Sequence, residues 1–306
     1  MSYISVKETS DKWHISERRI RLLCSESRIG GAVKIGSSWS IPLEASKPFD
    51  ARESNKKKYI GLEYDFGLID RLKESIDARR PFSENLAKSL HEKLIVEWTY
   101  NSNAIEGNTL TMSETKVVLE GITIGGKSVV EHLETINHRE AILFIEELIS
   151  NRDQLSEWNI KNIHALILKE IDNKNAGKYR EENVLISGAK HIPPTHFEIN
   201  YLMQKMIAEY QSELMKFHPI VRATLLHGEF VKIHPFIDGN GRTARLLLNF
   251  ELMKNGYTPI IIRKVQRANY YDALDFAHTT MNYSPFIKLV SELVIESENL
   301  WLSVLD

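Results

Sequence analysis

The 306-residue sequence predicts a mostly α-helical protein headed by a small helix-and-strand module. Two observations predict this class. From Gly67 onward apolar residues recur three and four positions apart, the period that one buried helix face requires. Strand-like runs are confined to Ala32–Pro42 and to the stretch around Val184–Ile186, with no series of parallel strands between the helices.

The elements follow in order. Ser5–Trp13 reads as a short amphipathic helix, His14–Ser16 as a tight turn with Ser16 the N-cap, and Glu17–Ser27 as a second helix carrying Arg18, Arg19 and Arg21. Glycines 30, 31 and 36 bracket Ala32–Ile35, and Ser38–Pro42 completes a small wing that includes Lys34. This unit is expected to span residues 1–50. Residues 51–65, with the polar run ending in three lysines, form a linker. The second unit, 66–306, is helical. Leu68–Ile76, Glu140–Leu148, Glu157–Ile171 and Tyr201–Phe217 are its clearest periodic stretches.

Composition is that of an ordinary globular chain, 42% hydrophobic and 26% charged, with a net charge of −2 that excludes a general polyanion binder. A single cysteine, Cys24, rules out an internal disulfide and agrees with a reducing, cytoplasmic setting. No apolar run approaches bilayer length, so no membrane partner is expected, and the N-terminus does not read as a signal peptide.

The densest chemistry lies in residues 234–245, His-Pro-Phe-Ile-Asp-Gly-Asn-Gly-Arg-Thr-Ala-Arg. Gly239 and Gly241 flank Asn240, so backbone N–H groups can turn inward on an anion. The run from Arg245 reads as a helix, whose N-terminus favours phosphate. Arg242 and Arg245, three apart, could both grip phosphate oxygens. Asp238 offers a carboxylate for Mg²⁺, which takes one or two carboxylates plus phosphates. His234, with an ordinary pKa of about 6.5, suits a general base. Any one of these residues alone reads better as part of a turn or a packed side chain; the set points to phosphoryl or nucleotidyl transfer.

The segment is similar at every defined position to the signature of the Fic family, His-x-Phe-x-(Asp/Glu)-Gly-Asn-Gly-Arg-x-x-Arg. The resemblance implies a Fic-type helical core that transfers AMP from ATP to a protein hydroxyl. It implies that His234 deprotonates the hydroxyl and Asp238 holds Mg²⁺. Asn240, Arg242 and the glycine amides would hold the phosphates, with Arg245 on the γ-phosphate. Related Doc-type kinases carry Lys at the place of Gly241, which favours nucleotidyl transfer here.

Ser102-Asn-Ala-Ile-Glu106-Gly107 resembles the family's inhibitory motif, on an expected helix of about 87–107 ending at the glycine. The resemblance implies that Glu106 pairs with Arg245 and displaces the γ-phosphate. Gly177–Arg180 leads into Val184, Leu185, Ile186, Ser187 and Gly188 and then Ile192–Pro194, which reads as a β-hairpin. In Fic proteins such a flap docks the target; alone it could be an idle surface hairpin. By the same resemblance Tyr271 and Leu274 lie near the nucleotide base, and His278 stands where relatives often have Asn; helix packing would explain all three as well.

Two patterns mimic other sites. Gly121–Ser128 satisfies the P-loop spacing letter for letter, but the stretch before it, Ser113–Glu120, looks helical, with a capping box between Thr111 and Glu114. Gly239-x-Gly241-x-x-Ala244 mimics a dinucleotide fingerprint without a preceding strand. His132 with His138, and His227 with Glu229, do not fit a zinc pattern.

Residues 1–50 resemble the winged helix-turn-helix of MerR and excisionase type, which implies DNA contacts from Arg18, Arg19, Arg21 and Lys34. Their net charge of +2 does not decide between DNA binding and a structural or protein-binding role. The expected function is an adenylyltransferase autoinhibited by Glu106. The alternatives are a DNA-binding regulator with a nucleotide-sensing core, or an enzyme that removes AMP. The target protein is not readable; self-modification and a homodimer are both compatible with the chain.

Overall fold

The computed structural model describes residues 2–13, 15–26, 28–48 and 59–305. The expected turn at His14 and most of the linker, residues 51–58, lie outside the described residues.

The N-terminal unit comprises β1 (Tyr3–Ser5), α1 (Val6–Trp13), α2 (Glu17–Ser25), β2 (Val33–Ile35) and β3 (Ser38–Pro42). Ser16 caps α2 by accepting from the Arg19 N–H, as its sequence position predicts. The three strands form an antiparallel sheet in the order β1-β3-β2, with Ile4 opposite Ile41 and Lys34 opposite Trp39. Val6, Trp13, Ile20, Leu23 and Ile41 close a small core of their own.

The larger unit contains α3 (Gly67–Asp77), α4 (Glu84–Glu106), α5 (Met112–Leu119), α6 (Val129–Ser150), α7 (Glu157–Ile167), α8 (Ile199–Gln211), α9 (Pro219–Ile233), α10 (Asn240–Lys254), α11 (Arg267–Thr280) and α12 (Ser284–Leu305). Helices α9 and α10 pack against each other at its centre and are buried along nearly their whole lengths. Helices α4, α6, α7, α8, α11 and α12 enclose this pair, and its buried polar side chains, such as Arg222, Arg245 and Glu251, are paired within the enclosure. One core, running from Ile69 to Val294, unites them. At the end of the pair remote from residues 234–245, Arg222 Nε donates to Glu251 Oε1 at 2.7 Å and Arg222 Nη2 to Asn255 Oδ1 at 2.7 Å. The Tyr210 hydroxyl donates to the same carboxylate.

The expected capping box forms between Thr111 and Glu114, opening α5. Gly121–Lys127 therefore follows a helix, and Ser128 caps α6 by a second box with Glu131, so the P-loop spacing here is a helix–helix connection. The Gly239–Ala244 pattern likewise follows α9 and lacks a strand.

Three expectations are corrected. The hairpin through Val184–Gly188 has no strands; the segment is an extended loop with one turn, in which Ala189 N–H donates to Ile186 C=O at 3.2 Å. A lone two-stranded hairpin is marginal without a third strand or a covering helix, and the arms of this loop are bonded to side chains instead of to each other. Helix α7 stops at Ile167, four residues short of the periodic stretch, and α8 at Gln211, with turns continuing to Phe217. Helix α10 begins at Asn240 rather than Arg245, so both arginines sit within its first two turns. Among the described residues no helix is long and apolar enough to cross a membrane.

Candidate active site

The site forms where α9 ends and α10 begins. His234 terminates α9 in the left-handed region at φ 51°. A non-glycine residue held there stores strain of about 1–2 kcal/mol, and the turn sets the imidazole on the wall of a cleft of about 880 Å³. Burial, with Arg180 and His191 nearby, pushes the His234 pKa down to about 4, against the Val231 carbonyl and the Glu106 carboxylate. The ring is therefore neutral at pH 7, and its buried Nδ1 has no hydrogen-bond partner.

The loop between the helices is clipped shut by Asn240. Its Nδ2 donates to Phe236 C=O at 2.8 Å and its Oδ1 accepts from Phe236 N–H at 3.0 Å. The Asn240 side chain thus holds the loop, and its backbone N–H belongs to the open helix end. His164 supports the loop from below. Its ring stacks on Phe236 at 3.6 Å between centroids, its Nδ1 accepts from Gly177 N–H at 3.0 Å, and its Nε2 donates to Asp238 C=O at 2.8 Å. Burial lowers its pKa to about 4, which keeps the neutral form those bonds require.

The two arginines do not form a joint clamp as paired here. Arg242 donates from Nη1 to Glu134 Oε1 at 2.8 Å and lies 3.2 Å from Asp238 Oδ2 through Nη2. Arg245 donates from Nε to Ser102 Oγ at 3.0 Å, and from Nη2 to Ser102 C=O at 2.8 Å and Glu106 Oε1 at 2.7 Å. Each guanidinium keeps one buried N–H without a partner, Nε of Arg242 and Nη1 of Arg245. Burial works against the charge of Arg245, but the Glu106 carboxylate together with the Tyr270 and Tyr271 hydroxyls holds the pKa above the usual arginine value.

Glu106 is the last residue of α4, and Gly107 caps that helix in the left-handed conformation at φ 109°. Its carboxylate lies over the N-terminus of α10. A β-carbon at Gly241 would collide with Glu106 Oε1 and sit 3.1 Å from Arg245 Nη1. Asp238 stays largely exposed, at 68% of its side chain, with Oδ1 accepting from Gly239 N–H.

Across the cleft from His234 stands α11. Tyr271, Leu274 and His278 line it, as do Ile186, Ser187 and Gly188 of the loop, whereas Leu185 points outward at 82% exposure and Val184 is half-buried away from the cleft. Arg267 lies over the Tyr271 ring at 5.0 Å. Burial pushes the His278 pKa down to about 4, and His278 Nε2 donates to Gly228 C=O at 2.9 Å.

Comparison with known proteins supplies the family. A model of the Fic/DOC family matches residues 154–252. A Fic-domain-containing signaling protein from Bacteroides thetaiotaomicron is 30% identical with a TM-score of 0.72, over 78% of this chain and 97% of that one. The chain belongs to the Fic/DOC family. Fic-1 of C. elegans is also similar, 28% identical with a TM-score of 0.69, over 77% of this chain and 72% of that one. Protein adenylyltransferase Fic of Drosophila willistoni is 33% identical over 246 residues, 77% of this chain, and that of Aedes aegypti 34% identical over 239 residues, 76% of this chain. The chain spans about half the length of these insect relatives, 48% and 47%.

The Fic fold thus gathers His234, Gly241, Glu106, Tyr271 and Leu274 on one cleft, and places Arg242, Arg245, Ser102 and Asp238 around the base of α10. Sequence reading missed Glu134, His164 and Arg180. Arg180 is buried, donating from Nε to His234 C=O at 2.9 Å, from Nη1 to Glu182 C=O at 2.7 Å and from Nη2 to Pro194 C=O at 2.6 Å. Its one local signal was a lone arginine next to the Gly177-Lys-Tyr run.

Proposed function

We propose that this Fic protein is an adenylyltransferase that moves AMP from ATP to a Ser, Thr or Tyr hydroxyl of a protein, and that Glu106 restrains it. The observation that carries the reading is the position of the Glu106 carboxylate. It occupies Arg245 and the open N-terminus of α10, on the cleft that the His234 imidazole also lines. The activity agrees with the names of the insect relatives.

In the proposed reaction the target oxygen attacks the α-phosphorus of ATP, its proton passes to His234, and the bond to pyrophosphate breaks. A neutral imidazole has a lone pair to accept that proton, and a triphosphate beside it raises its pKa toward the working range. Arg242, Arg245 and the first N–H groups of α10 hold the phosphates. The partnerless N–H groups of the two arginines fit an anion there. Tyr271 and Leu274 flank the base. Asp238, exposed and singly placed, fits Mg²⁺, which takes one carboxylate with phosphate oxygens and would offset phosphate charge when bound. The loop through Val184, Leu185, Ile186, Ser187 and Gly188 presents the target, its extended backbone offering main-chain hydrogen bonds. Incubation with α-labelled ATP tests the activity: Glu106→Gly should take up or transfer label far faster than the unaltered protein, and adding His234→Ala should abolish it. Equal labelling with and without His234 sinks the base assignment. Removal of AMP would be a separate, hydrolytic use of the same site, in which a water placed by Glu106 attacks the phosphorus, the bond to the protein oxygen breaks and that oxygen takes a proton; release of AMP from a labelled protein tests it.

A second reading concerns residues 1–50, proposed as a winged helix-turn-helix that binds DNA and makes the enzyme a regulator. The supporting observation is the exposure of Arg18, Arg21 and Lys34 on α2 and β2. Arg21 is already paired with Glu17 at 2.5 Å, which weakens its share. A gel shift at low salt tests it, and absence of any shift argues against it. Self-modification and dimer formation are tested by mass spectrometry and by sedimentation.

A further inference from the structure

The loop over the cleft is fastened at both arms, and the second fastening joins it to the nucleotide wall. On its first arm Arg180 N–H donates to Pro235 C=O at 2.9 Å, and the Arg180 guanidinium reaches His234 C=O and crosses to Pro194 C=O. On its second arm the N–H groups of Lys190 and His191 both donate to one oxygen, Asp275 Oδ1, at 2.8 and 3.0 Å. His191 Nε2 adds a bond to Lys232 C=O at 2.9 Å.

Asp275 belongs to α11, one residue after Leu274 and three before His278, and it lines the same cleft. The loop has no strand ladder to fix its height above the site. Between the two fastenings only one backbone bond, from Ala189 to Ile186, lies within residues 183–189. Asp275 and Arg180 fasten the loop to the wall, with the His191–Lys232 bond and the Asn183–His196 bond beside them. Arg180 is buried and bound to the His234 backbone, so its loss disturbs the base directly. Asp275 is half-buried; its carboxylate accepts from the loop's backbone, and its carbonyl accepts from Thr279 Oγ1 on its own helix.

We propose that Asp275 is a positioning residue that clamps the loop at Lys190–His191 onto α11, setting where an incoming hydroxyl stands relative to a nucleotide held on that helix. The inference rests on the transferase reading above. Charged acceptors make the stronger hydrogen bonds, and a carboxylate serving two adjacent N–H groups fixes both the position and the direction of the chain there. Asp275→Asn keeps an oxygen acceptor for both N–H groups; Asp275→Ala keeps none.

The test uses the full chain in the Glu106→Gly background, with α-labelled ATP as the probe and self-labelling as the readout. Adding Asp275→Ala should speed hydrogen exchange at the Lys190 and His191 amides. It should also slow labelling by about tenfold or more, the scale of an ångström-size misplacement, while ATP affinity measured by calorimetry stays within about twofold. Asp275→Asn should restore most of the rate. A merely structural role would lower ATP affinity along with the labelling rate. Unchanged exchange at those amides overturns the clamp. Faster exchange with an unchanged labelling rate overturns its role in positioning. A Glu106→Gly parent that neither takes up label nor transfers it to any added protein sinks the transferase reading itself, and the exchange result then stands apart from it.

Discussion

Asn240 is bonded to Phe236 through both ends of its amide, at 2.8 and 3.0 Å, and so closes the loop that carries Asp238 and Gly239. Both partners are buried. Asn240→Ala leaves the Phe236 N–H and C=O unpaired inside the protein, at about 1–3 kcal/mol for each group. We expect a fall in melting temperature together with near-complete loss of labelling. Asn240→Asp retains the acceptor and loses the donor, and should fall between. Calorimetry and labelling of the same preparations check both.

Ser102 serves Arg245 twice, through its hydroxyl at 3.0 Å and its carbonyl at 2.8 Å. Ser102→Ala removes only the hydroxyl. A buried guanidinium N–H is then left bare, with an expected cost of about 1–3 kcal/mol, read from the urea midpoint. Activity in the Glu106→Gly background should fall through weaker ATP binding, and an unchanged ATP affinity would contradict the role given to Arg245.

The Arg222–Glu251 pair is nearly dry, with side-chain exposures of 8% and 1%. Arg222→Met strands the carboxylate, for which about 3–5 kcal/mol of destabilisation is expected. Adding Glu251→Leu should recover part of it by removing the stranded charge, less the cost of leaving the buried Tyr210 hydroxyl without its acceptor. Urea denaturation of the single and double variants decides, and a double variant no better than the single one refutes the account.

Stability should decline as pH falls below 6.5. His164 and His278 are buried with pKa values pushed to about 4, and His138 and His227 well below 6.5, in each case by burial first. These groups are depressed in the fold, so between pH 6.5 and about 4 the unfolded chain binds more protons and unfolding gains. Each such histidine removes up to about 1.4 kcal/mol per pH unit across that window. Melting scans from pH 7.5 to 5 should show the loss, and replacing His278 by Gln should flatten the slope.

Much of the site was legible because its chemistry is local. Residues 234–245 carry the base, the carboxylate and both arginines in one run. The Ser102–Gly107 motif, the end of α4 at Gly107 and the Thr111–Glu114 box depend on neighbours a few positions apart. What was hidden depends on distant pairs. Glu134 meets Arg242 and His164 meets Asp238 only after α6, α7 and α10 pack, and neither residue stands in a distinctive local pattern. The loop at Val184–Gly188 was misread as a hairpin because β-branched residues alternating around a glycine match the strand period. Nothing local shows that Arg180 and Asp275 take the backbone bonds a partner strand would make. The clip that Asn240 makes to Phe236 is equally hidden, because spacing shows that an amide is present and not where it points.

Gly241 is the feature with the widest consequence. Its missing side chain is the space into which the Glu106 carboxylate fits. On the proposed reading, restraint by Glu106 is partly exclusion of volume, which ionic strength leaves untouched, as well as occupation of a charge, which salt weakens only slightly at a buried partner. Added salt alone should not wake this protein. A bulkier residue at 241 would collide with the Glu106 carboxylate and crowd Arg245, so on that reading Glu106 yields with the end of α4 that carries it.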